Sequence, residues 1–201
     1  NKSEKIKPVL VTHECGAAFM ADAISRTSNG EIGTLVIVPA AGTTHAMSGI
    51  GEAFLDGIPM LIITGGTRTD IEFGYQLHEI DQKKLLAGVT KGAWKVTEHK
   101  DIIPTIFEAY KTAIEGTPGP VLVEIPVNLQ LFKGSVESLP TFKMPPIKSA
   151  SIDKLLDEAL SLLASAKNAG IFVGWGAVDV FDSVKKIAEL IGSPVSTTLQ
   201  G

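Results

Sequence analysis

The chain has 201 residues, of which 44% are hydrophobic and 20% charged, and a formal net charge of −4 at pH 7. This composition is typical of an ordinary globular protein of one or two domains. It lacks the basic patch that nucleic-acid binding requires, and no apolar run approaches the roughly 20 residues that cross a bilayer. The lone Cys15 excludes an intrachain disulfide and is expected to be a small packing residue. We expect a cytoplasmic protein that binds neither nucleic acid nor membrane and holds no metal within this chain.

The first part of the chain alternates between short apolar runs and longer helical patterns. The runs predict buried parallel strands at Val9–Val11, Thr34–Val38, Met60–Thr64 and Val121–Ile125. Helices are predicted between them, from about Glu14 to Arg26, Thr44 to Leu55 and Ile102 to Ile114. Each helix is followed by a glycine stop signal, at Gly30, Gly57 and Gly116. Repeated strand–helix–strand order predicts an α/β fold with a doubly wound parallel sheet.

A domain boundary is predicted after residue 127. Residues 128–150 contain Pro140, Pro145 and Pro146 without a sustained hydrophobic period, which indicates a linker. The α/β pattern returns in residues 151–201, with helices from Ile152 to Leu163 and Val180 to Ile191. Short strands are predicted at Ile171–Val173 and from Pro194. So few elements cannot bury a sheet on both faces. We therefore expect the second unit to be a partial, truncated Rossmann-like fold. We also expect the first domain, residues 1–127, to lack its first elements.

Unusual loops follow the predicted strands of the first domain. They are His13-Glu14, the small-residue loop Pro39–His45, the segment Thr64–Arg68 and the longer loop Tyr75–Gln82. In open α/β sheets the carboxyl ends of the strands form the ligand-binding edge. Glu14 is therefore a candidate functional carboxylate, although an acidic residue in a first helical turn can also serve only to complement the helix dipole.

Taken in order, these segments resemble one enzyme family. The motifs are His-Glu-x-x-Ala-Ala-x-Met-Ala-Asp, Pro-x-x-Gly-x-Thr, Gly-Ile-x-x-Ala-Phe, Pro-Met-Leu-Ile-Ile-Thr-Gly, Glu-x-Asp and Gly-Pro-Val-x-Val-Glu-Ile-Pro. From Val11 to about Val127 they resemble the amino-terminal pyrimidine-binding domain of thiamine-diphosphate enzymes of the acetolactate synthase and 2-oxo-acid decarboxylase group. Residues 169–201 are similar to the start of that family's central domain.

The resemblance implies roles for particular residues. The counterpart of Glu14 hydrogen-bonds N1′ of the cofactor's aminopyrimidine, and a desolvated cleft with a raised carboxyl pKa would suit that role. Further cofactor contacts are implied for Thr64 and Gly65 and for the loop with Ala41 and Gly42. The family's inward polar residue before Glu-x-Asp corresponds to either Gln76 or His78, depending on which end of the motif is aligned.

The resemblance also implies partners. The cofactor is thiamine diphosphate, with Mg²⁺ held through a domain absent from this chain, and the substrate is a 2-oxo acid that is decarboxylated or ligated. The site lies between subunits of a homodimer or homotetramer. FAD in the central domain is possible in this family, but the incomplete Gly174-Trp175-Gly176 motif does not support it. Two alternatives stay open: a coenzyme A-thioester enzyme resembling oxalyl-CoA decarboxylase or 2-hydroxyacyl-CoA lyase, and a non-catalytic α/β binding module.

Overall fold

The computed structural model describes residues 6–28, 30–72, 75–144 and 152–199. It divides into two compact units, residues 1–145 and 146–201. This division falls inside the segment that the sequence predicts as a linker.

The first unit is built on a four-stranded parallel sheet. Its strands are β1 (Gly33–Ile37), β2 (Met60–Gly66), β3 (Gly92–Lys95) and β4 (Pro120–Pro126), in the spatial order β1-β2-β4-β3. Its helices are α1 (Glu14–Thr27), α2 (Ala41–Leu55), α3 (Gln82–Leu85), α4 (Ile102–Ile114) and α5 (Val127–Leu131), and a 3-10 turn spans His99–Asp101. Ile37 pairs with Thr64, and Thr64 pairs with Glu124, so β1, β2 and β4 end at one common edge.

Two apolar cores lie on opposite faces of this sheet. In β2, Met60 and Ile62 belong to the core that includes residues of α1 and α2, whereas Leu61 belongs to the core that includes Ala109 and Ala113 of α4. Successive strand residues point to opposite faces, so a continuous apolar run is what a sheet covered on both sides requires. The predicted doubly wound α/β fold is confirmed.

Helices α1 and α2 pack closely because their contact surface is made of small residues. A Cβ atom added to Gly49 of α2 would lie 2.7 Å from the Cβ of Ala18 in α1 and 3.0 Å from the backbone N of Phe19. Both Ala18 and Ala46 are fully buried. Close contact between these helices fixes the first turn of α1, which carries Glu14, against the first turn of α2.

The predicted strand at Val9–Val11 is wrong. Residues 6–11 have no regular secondary structure, and Val9 and Leu10 are 62% and 97% exposed. A strand needs a neighbour that accepts and donates its backbone hydrogen bonds, and a short apolar run carries no information about whether a neighbour is present. β1 also differs from the buried strand expected, because its residues alternate between buried and exposed and Val36 is 73% exposed.

Several shorter elements differ from the sequence predictions as well. Helix α2 begins at Ala41 rather than Thr44, and β3 and α3 were not predicted. Helix α5 occupies Val127–Leu131, the beginning of the predicted linker. Elements of four or five residues are too short to show a hydrophobic period. The predicted glycine stops are confirmed, since Gly30, Gly57 and Gly116 all have φ between 64° and 79°.

The second unit is a single strand–helix–strand repeat preceded by a helix. It contains α6 (Asp153–Ser165), β5 (Ile171–Val173), a 3-10 segment at Trp175–Val180, α7 (Phe181–Ile191) and β6 (Val195–Thr197). β5 pairs in parallel with β6, with Ile171 opposite Val195. Val173 and Ala188 are its buried hydrophobic residues among those the structure describes. In neither unit does the described chain contain a helix of the length and apolarity that a membrane span needs.

Candidate active site

A cleft of about 720 Å³ opens where β1, β2 and β4 end. Its walls come from Val36 and Val38 near the end of β1, from Ile63 in β2 and from Ile125 in β4. Four of the predicted site residues line it: Thr64, Gly65, Gln76 and His78. The carboxyl edge of the sheet thus forms an apolar cleft with a few polar groups, the usual composition of a small-molecule site.

Glu14, the predicted catalytic carboxylate, occupies the first position of α1. His13 caps this helix, because its Nδ1 accepts a hydrogen bond from the backbone N–H of Cys15 at 3.2 Å. The Glu14 side chain is 30% exposed, and its Oε2 lies 3.4 Å from Nδ1 of His45 in α2. The His13 and His45 rings stack with centroids 5.2 Å apart. The carboxylate therefore lies at an accessible surface beside a stacked pair of imidazoles.

The pKa of Glu14 is lowered from its ordinary value of 4.5. The largest cause is a hydrogen bond from its own backbone N–H, and contact with His45 adds to it, while desolvation acts in the opposite direction. The sequence led us to expect a raised pKa in a desolvated cleft. In this chain that expectation is wrong, because the carboxyl remains partly in contact with water and accepts a backbone hydrogen bond that favours its charged form.

The loop with Ala41 and Gly42 brings the backbone close to Glu14. A Cβ added at Gly42 would lie 3.5 Å from Cγ and Oε1 of Glu14 and only 2.7 Å from Val38. The preceding Ala40 has φ 56° and ψ −94°, a conformation that residues with a Cβ rarely adopt. Gly42 and Glu14 therefore adjoin, but Glu14, Ala41 and Gly42 lie beside the cleft rather than among the residues that line it.

Gln76 and His78 both line the cleft, but their side chains differ in how they are engaged. The Gln76 amide pairs with the backbone of Arg68, accepting from its N–H and donating to its C=O, both at 2.9 Å. His78 has φ 66° and an exposed side chain, which makes no hydrogen bond to the described part of the chain. Gln76 therefore joins two loops through its hydrogen bonds to Arg68, whereas the His78 ring faces solvent.

Sequence reasoning missed a buried group beneath the cleft. Gln82, the first residue of α3, is 2% exposed and accepts hydrogen bonds from the hydroxyls of Thr43 and Thr64. Its Nε2 donates to the carbonyl oxygen of Gly65 at 2.9 Å. The sequence does offer a signal for the start of α3, because the Asp81 side chain caps this helix by accepting from the N–H of Lys84. Nothing in the local pattern indicates that Gln82 points inward.

Acidic, histidine and cysteine side chains do not gather into a metal-binding group anywhere in the described ranges.

Residues 1–85 match the family model described as "Thiamine pyrophosphate enzyme, N-terminal TPP binding domain". This part of the chain is therefore similar to the thiamine pyrophosphate-binding domain of that enzyme family. Thiamine pyrophosphate is another name for thiamine diphosphate, so the resemblance inferred from the ordered motifs is confirmed.

Similarity to known enzymes extends over the whole chain. It is 32% identical to the acetolactate synthase large subunit of Corynebacterium glutamicum, over 98% of this chain and 32% of that protein. It is 30% identical to the chloroplastic acetolactate synthase of Arabidopsis thaliana, over 100% of this chain and 30% of that protein. For the large subunit of Lactococcus lactis the identity is 31%, over 98% of this chain and 35% of that protein. The chain thus spans about a third of the length of these relatives.

Proposed function

We propose that this chain supplies the aminopyrimidine half of a thiamine diphosphate site in an enzyme that decarboxylates and ligates 2-oxo acids, as acetolactate synthases do. The observation that carries the proposal is the position of Glu14. Its carboxylate is accessible at the ligand-binding edge of a parallel sheet, beside Gly42, in a chain whose residues 1–85 match a TPP-binding domain.

The residues present fit the cofactor's pyrimidine ring. A flat aromatic ring needs an apolar wall, and Val36, Val38 and Ile63 provide one in the cleft. It also needs backbone atoms within reach, and Gly65 in the cleft and Gly42 beside Glu14 have no side chain to prevent close approach. We propose cofactor contacts for Gly42 and Gly65 on these grounds, and for Ala41 and Thr64 because the family resemblance implies them.

The bound cofactor supplies a thiazolium that acts as an electron sink for the 2-oxo acid. Glu14 would hold a proton and exchange it with the aminopyrimidine of the bound cofactor. A ring lying against Glu14 excludes water from the carboxyl, and desolvation is already the influence that raises its pKa in this chain. Exclusion of water by a bound ring would therefore raise the pKa of the Glu14 carboxyl, which favours proton sharing.

His78 is the better candidate for the additional polar group that faces the cofactor or substrate. Its ring lines the cleft and makes no hydrogen bond to the residues that the structure describes, whereas both polar atoms of Gln76 are engaged by Arg68. We propose that the groups holding Mg²⁺ and the diphosphate come from outside the residues described, and that a second subunit of a homodimer or homotetramer completes the site. A coenzyme A-thioester enzyme is not favoured, because the relatives named above are acetolactate synthases.

The test is Glu14→Gln in the full-length natural protein, assayed for acetolactate formation from pyruvate with thiamine diphosphate and Mg²⁺. We expect turnover to fall by about 10²-fold or more, the usual contribution of a positioned proton-transfer group. The melting temperature should change little because the side chain is partly exposed. Glu31→Gln, at an exposed position of the same domain, is the matched control. Near-normal turnover in Glu14→Gln would contradict the assigned role, and turnover of acyl-CoA substrates in place of pyruvate would favour the coenzyme A alternative.

A further inference from the structure

Gln82 is buried at a position where a helix of only four residues meets the end of the sheet. Helix α3 begins at Gln82 because Asp81 accepts a hydrogen bond from the N–H of Lys84. This cap fixes the direction of the first helical residue, and the Gln82 side chain extends into the protein with 2% of its surface exposed. A buried amide is costly unless its polar atoms find partners.

Three groups near the cleft provide those partners. The Oε1 atom of Gln82 accepts from Oγ1 of Thr43 at 2.6 Å and from Oγ1 of Thr64 at 3.0 Å. Both hydroxyls belong to side chains with no exposed surface. The Nε2 atom donates to the carbonyl oxygen of Gly65 at 2.9 Å. One side chain therefore joins the first turn of α2 to the end of β2.

The Gly65 carbonyl lies where the sheet no longer provides a neighbour on one side. β2 pairs with β1 only as far as Thr64, whereas it continues along β4 through Gly65 and Gly66. The Gln82 amide supplies a donor at the point where β1 has ended. It thereby fixes the orientation of the Gly65 peptide, which lines the cleft.

We infer that Gln82 is a positioning residue for the cofactor. Its hydrogen bonds to Thr43, Thr64 and Gly65 hold the first turn of α2 and the end of β2 at the separation that the pyrimidine ring requires. This inference rests on the proposed function. Gln82 acts through Gly65 and the first turn of α2, without contact with the reacting atoms. An ordinary structural hydrogen-bond cluster would stabilise the fold equally well but would not affect cofactor affinity.

The test compares cofactor affinity with stability in the full-length natural protein. Gln82→Met keeps the length of the side chain and removes all three hydrogen bonds. Gln82→Glu keeps an acceptor for the two hydroxyls but places an oxygen opposite the Gly65 carbonyl. Ser25→Ala is the matched control, because Ser25 donates to the Pro59 carbonyl and accepts from the Gly33 N–H at the opposite edge of the same sheet.

Dissociation constants for thiamine diphosphate in the presence of Mg²⁺ are measured by calorimetry, and melting temperatures by circular dichroism. We expect both Gln82 variants to raise the dissociation constant by about tenfold or more, the equivalent of one lost hydrogen bond at the upper end of its usual range. Ser25→Ala should lower the melting temperature while keeping the dissociation constant within about twofold, because its two hydrogen bonds lie away from the cleft. Thr43→Val should weaken cofactor binding and Thr43→Ser should restore it, which provides a milder perturbation if the Gln82 variants fold poorly.

Lower melting temperatures with unchanged cofactor affinity in Gln82→Met and Thr43→Val would overturn this inference alone. If the unaltered protein did not bind thiamine diphosphate, the proposed function and this inference would both be wrong. Weaker binding in the Gln82 and Thr43→Val variants, with normal binding in Ser25→Ala, would support the positioning role.

Discussion

Nδ1 of His45 lies 3.4 Å from Oε2 of Glu14, and the His45 ring stacks on His13 with a centroid distance of 5.2 Å. The contact joins the first turn of α2 to the first turn of α1. The histidine therefore adds a titratable group to a carboxylate whose protonation is central to the proposed function.

His45→Asn should raise the pKa of Glu14 toward its ordinary value of 4.5 without reaching it, because the larger influence is the backbone N–H of Glu14 itself. The sign for stability follows from the lowered pKa in the folded chain. The contribution of Glu14 to stability is present above pH 4.5 and is lost as the pH falls through the lower folded-state pKa. His45→Asn should reduce this acid-dependent loss.

The measurement is a carbon-13 NMR titration of the Glu14 carboxyl in the unaltered chain and in His45→Asn. His78→Asn is the control, since His78 is not among the groups that influence the pKa of Glu14. Identical Glu14 titration curves in the unaltered chain and His45→Asn would show that the ion pair is absent in solution.

The sequence predicts elements with a clear local pattern better than elements that depend on a distant partner. The predicted α4, Ile102–Ile114, and β5, Ile171–Val173, agree with the structure residue for residue. The first has a clear 3.6-residue period and the second is a compact apolar run between two glycines. By contrast, the apolar run Val9–Val11 forms no strand, because sheet formation depends on a partner that local sequence does not specify.

The candidate site shows the same division between local and long-range information. That Glu14 begins a helix could be predicted, because an apolar run and a helical pattern meet there in consecutive residues. That Gln82 points inward could not, because its role depends on Thr43 and Thr64, which lie 39 and 18 residues away in the sequence. A glutamine at a short helix start is ordinarily exposed, and only tertiary contacts turn it inward.

Ala40→Gly should stabilise the protein. Ala40 has φ 56° and ψ −94°, a sparsely populated conformation that costs a residue with a Cβ about 1–3 kcal/mol. Glycine relieves this strain but adds roughly 0.5–1 kcal/mol of unfolded-state entropy. We expect a net gain of about 1 kcal/mol in the free energy of unfolding, measured by urea titration.

The matched control for Ala40→Gly is its neighbour Ala41→Gly. Ala41 begins α2 and has an ordinary helical role, so glycine there should only lower the free energy of unfolding, by up to about 1 kcal/mol. If both glycine variants destabilised the protein equally, Ala40 would not be strained.

Arg26→Met should destabilise the first unit because Arg26 pairs with two carboxylates. It contacts Oδ2 of Asp22 and Oδ2 of Asp56, each at 2.7 Å. Asp22 is 6% exposed, and its Oδ1 already lacks a hydrogen-bond partner among the described residues. Loss of the guanidinium leaves this carboxylate buried beside an apolar side chain. We expect a cost of about 2 kcal/mol, less than for a fully buried pair because Arg26 retains some contact with water.

Lys100→Met provides the exposed counterpart for Arg26→Met. Its salt bridge to Glu98 joins side chains that are 63% and 61% exposed, so its loss should change the free energy of unfolding far less than Arg26→Met does. Adding Asp22→Asn to Arg26→Met removes the uncompensated charge and should recover part of the lost stability. Equal costs in Arg26→Met and Lys100→Met would contradict the importance assigned to burial of Asp22.

Gly49→Ala and Gly51→Ala should have opposite effects although both lie in helix α2. In the interior of a helix, alanine is more favourable than glycine by about 1 kcal/mol. At Gly51 the nearest atom to an added Cβ is Cγ1 of Val89, at 3.9 Å, so we expect Gly51→Ala to stabilise the protein by roughly 0.5–1 kcal/mol. At Gly49 the added Cβ would lie 2.7 Å from the Cβ of Ala18 and 3.0 Å from the backbone of α1. Helices α1 and α2 must then separate, at a cost of about 1–3 kcal/mol that exceeds the helix preference.

Urea unfolding of the two variants gives the comparison directly, and stabilisation by Gly49→Ala would mean that the two helices are not in close contact. Because this contact places Glu14 against the first turn of α2, Gly49→Ala should also shift the NMR signals of Glu14 and His45, whereas Gly51→Ala should leave them unchanged.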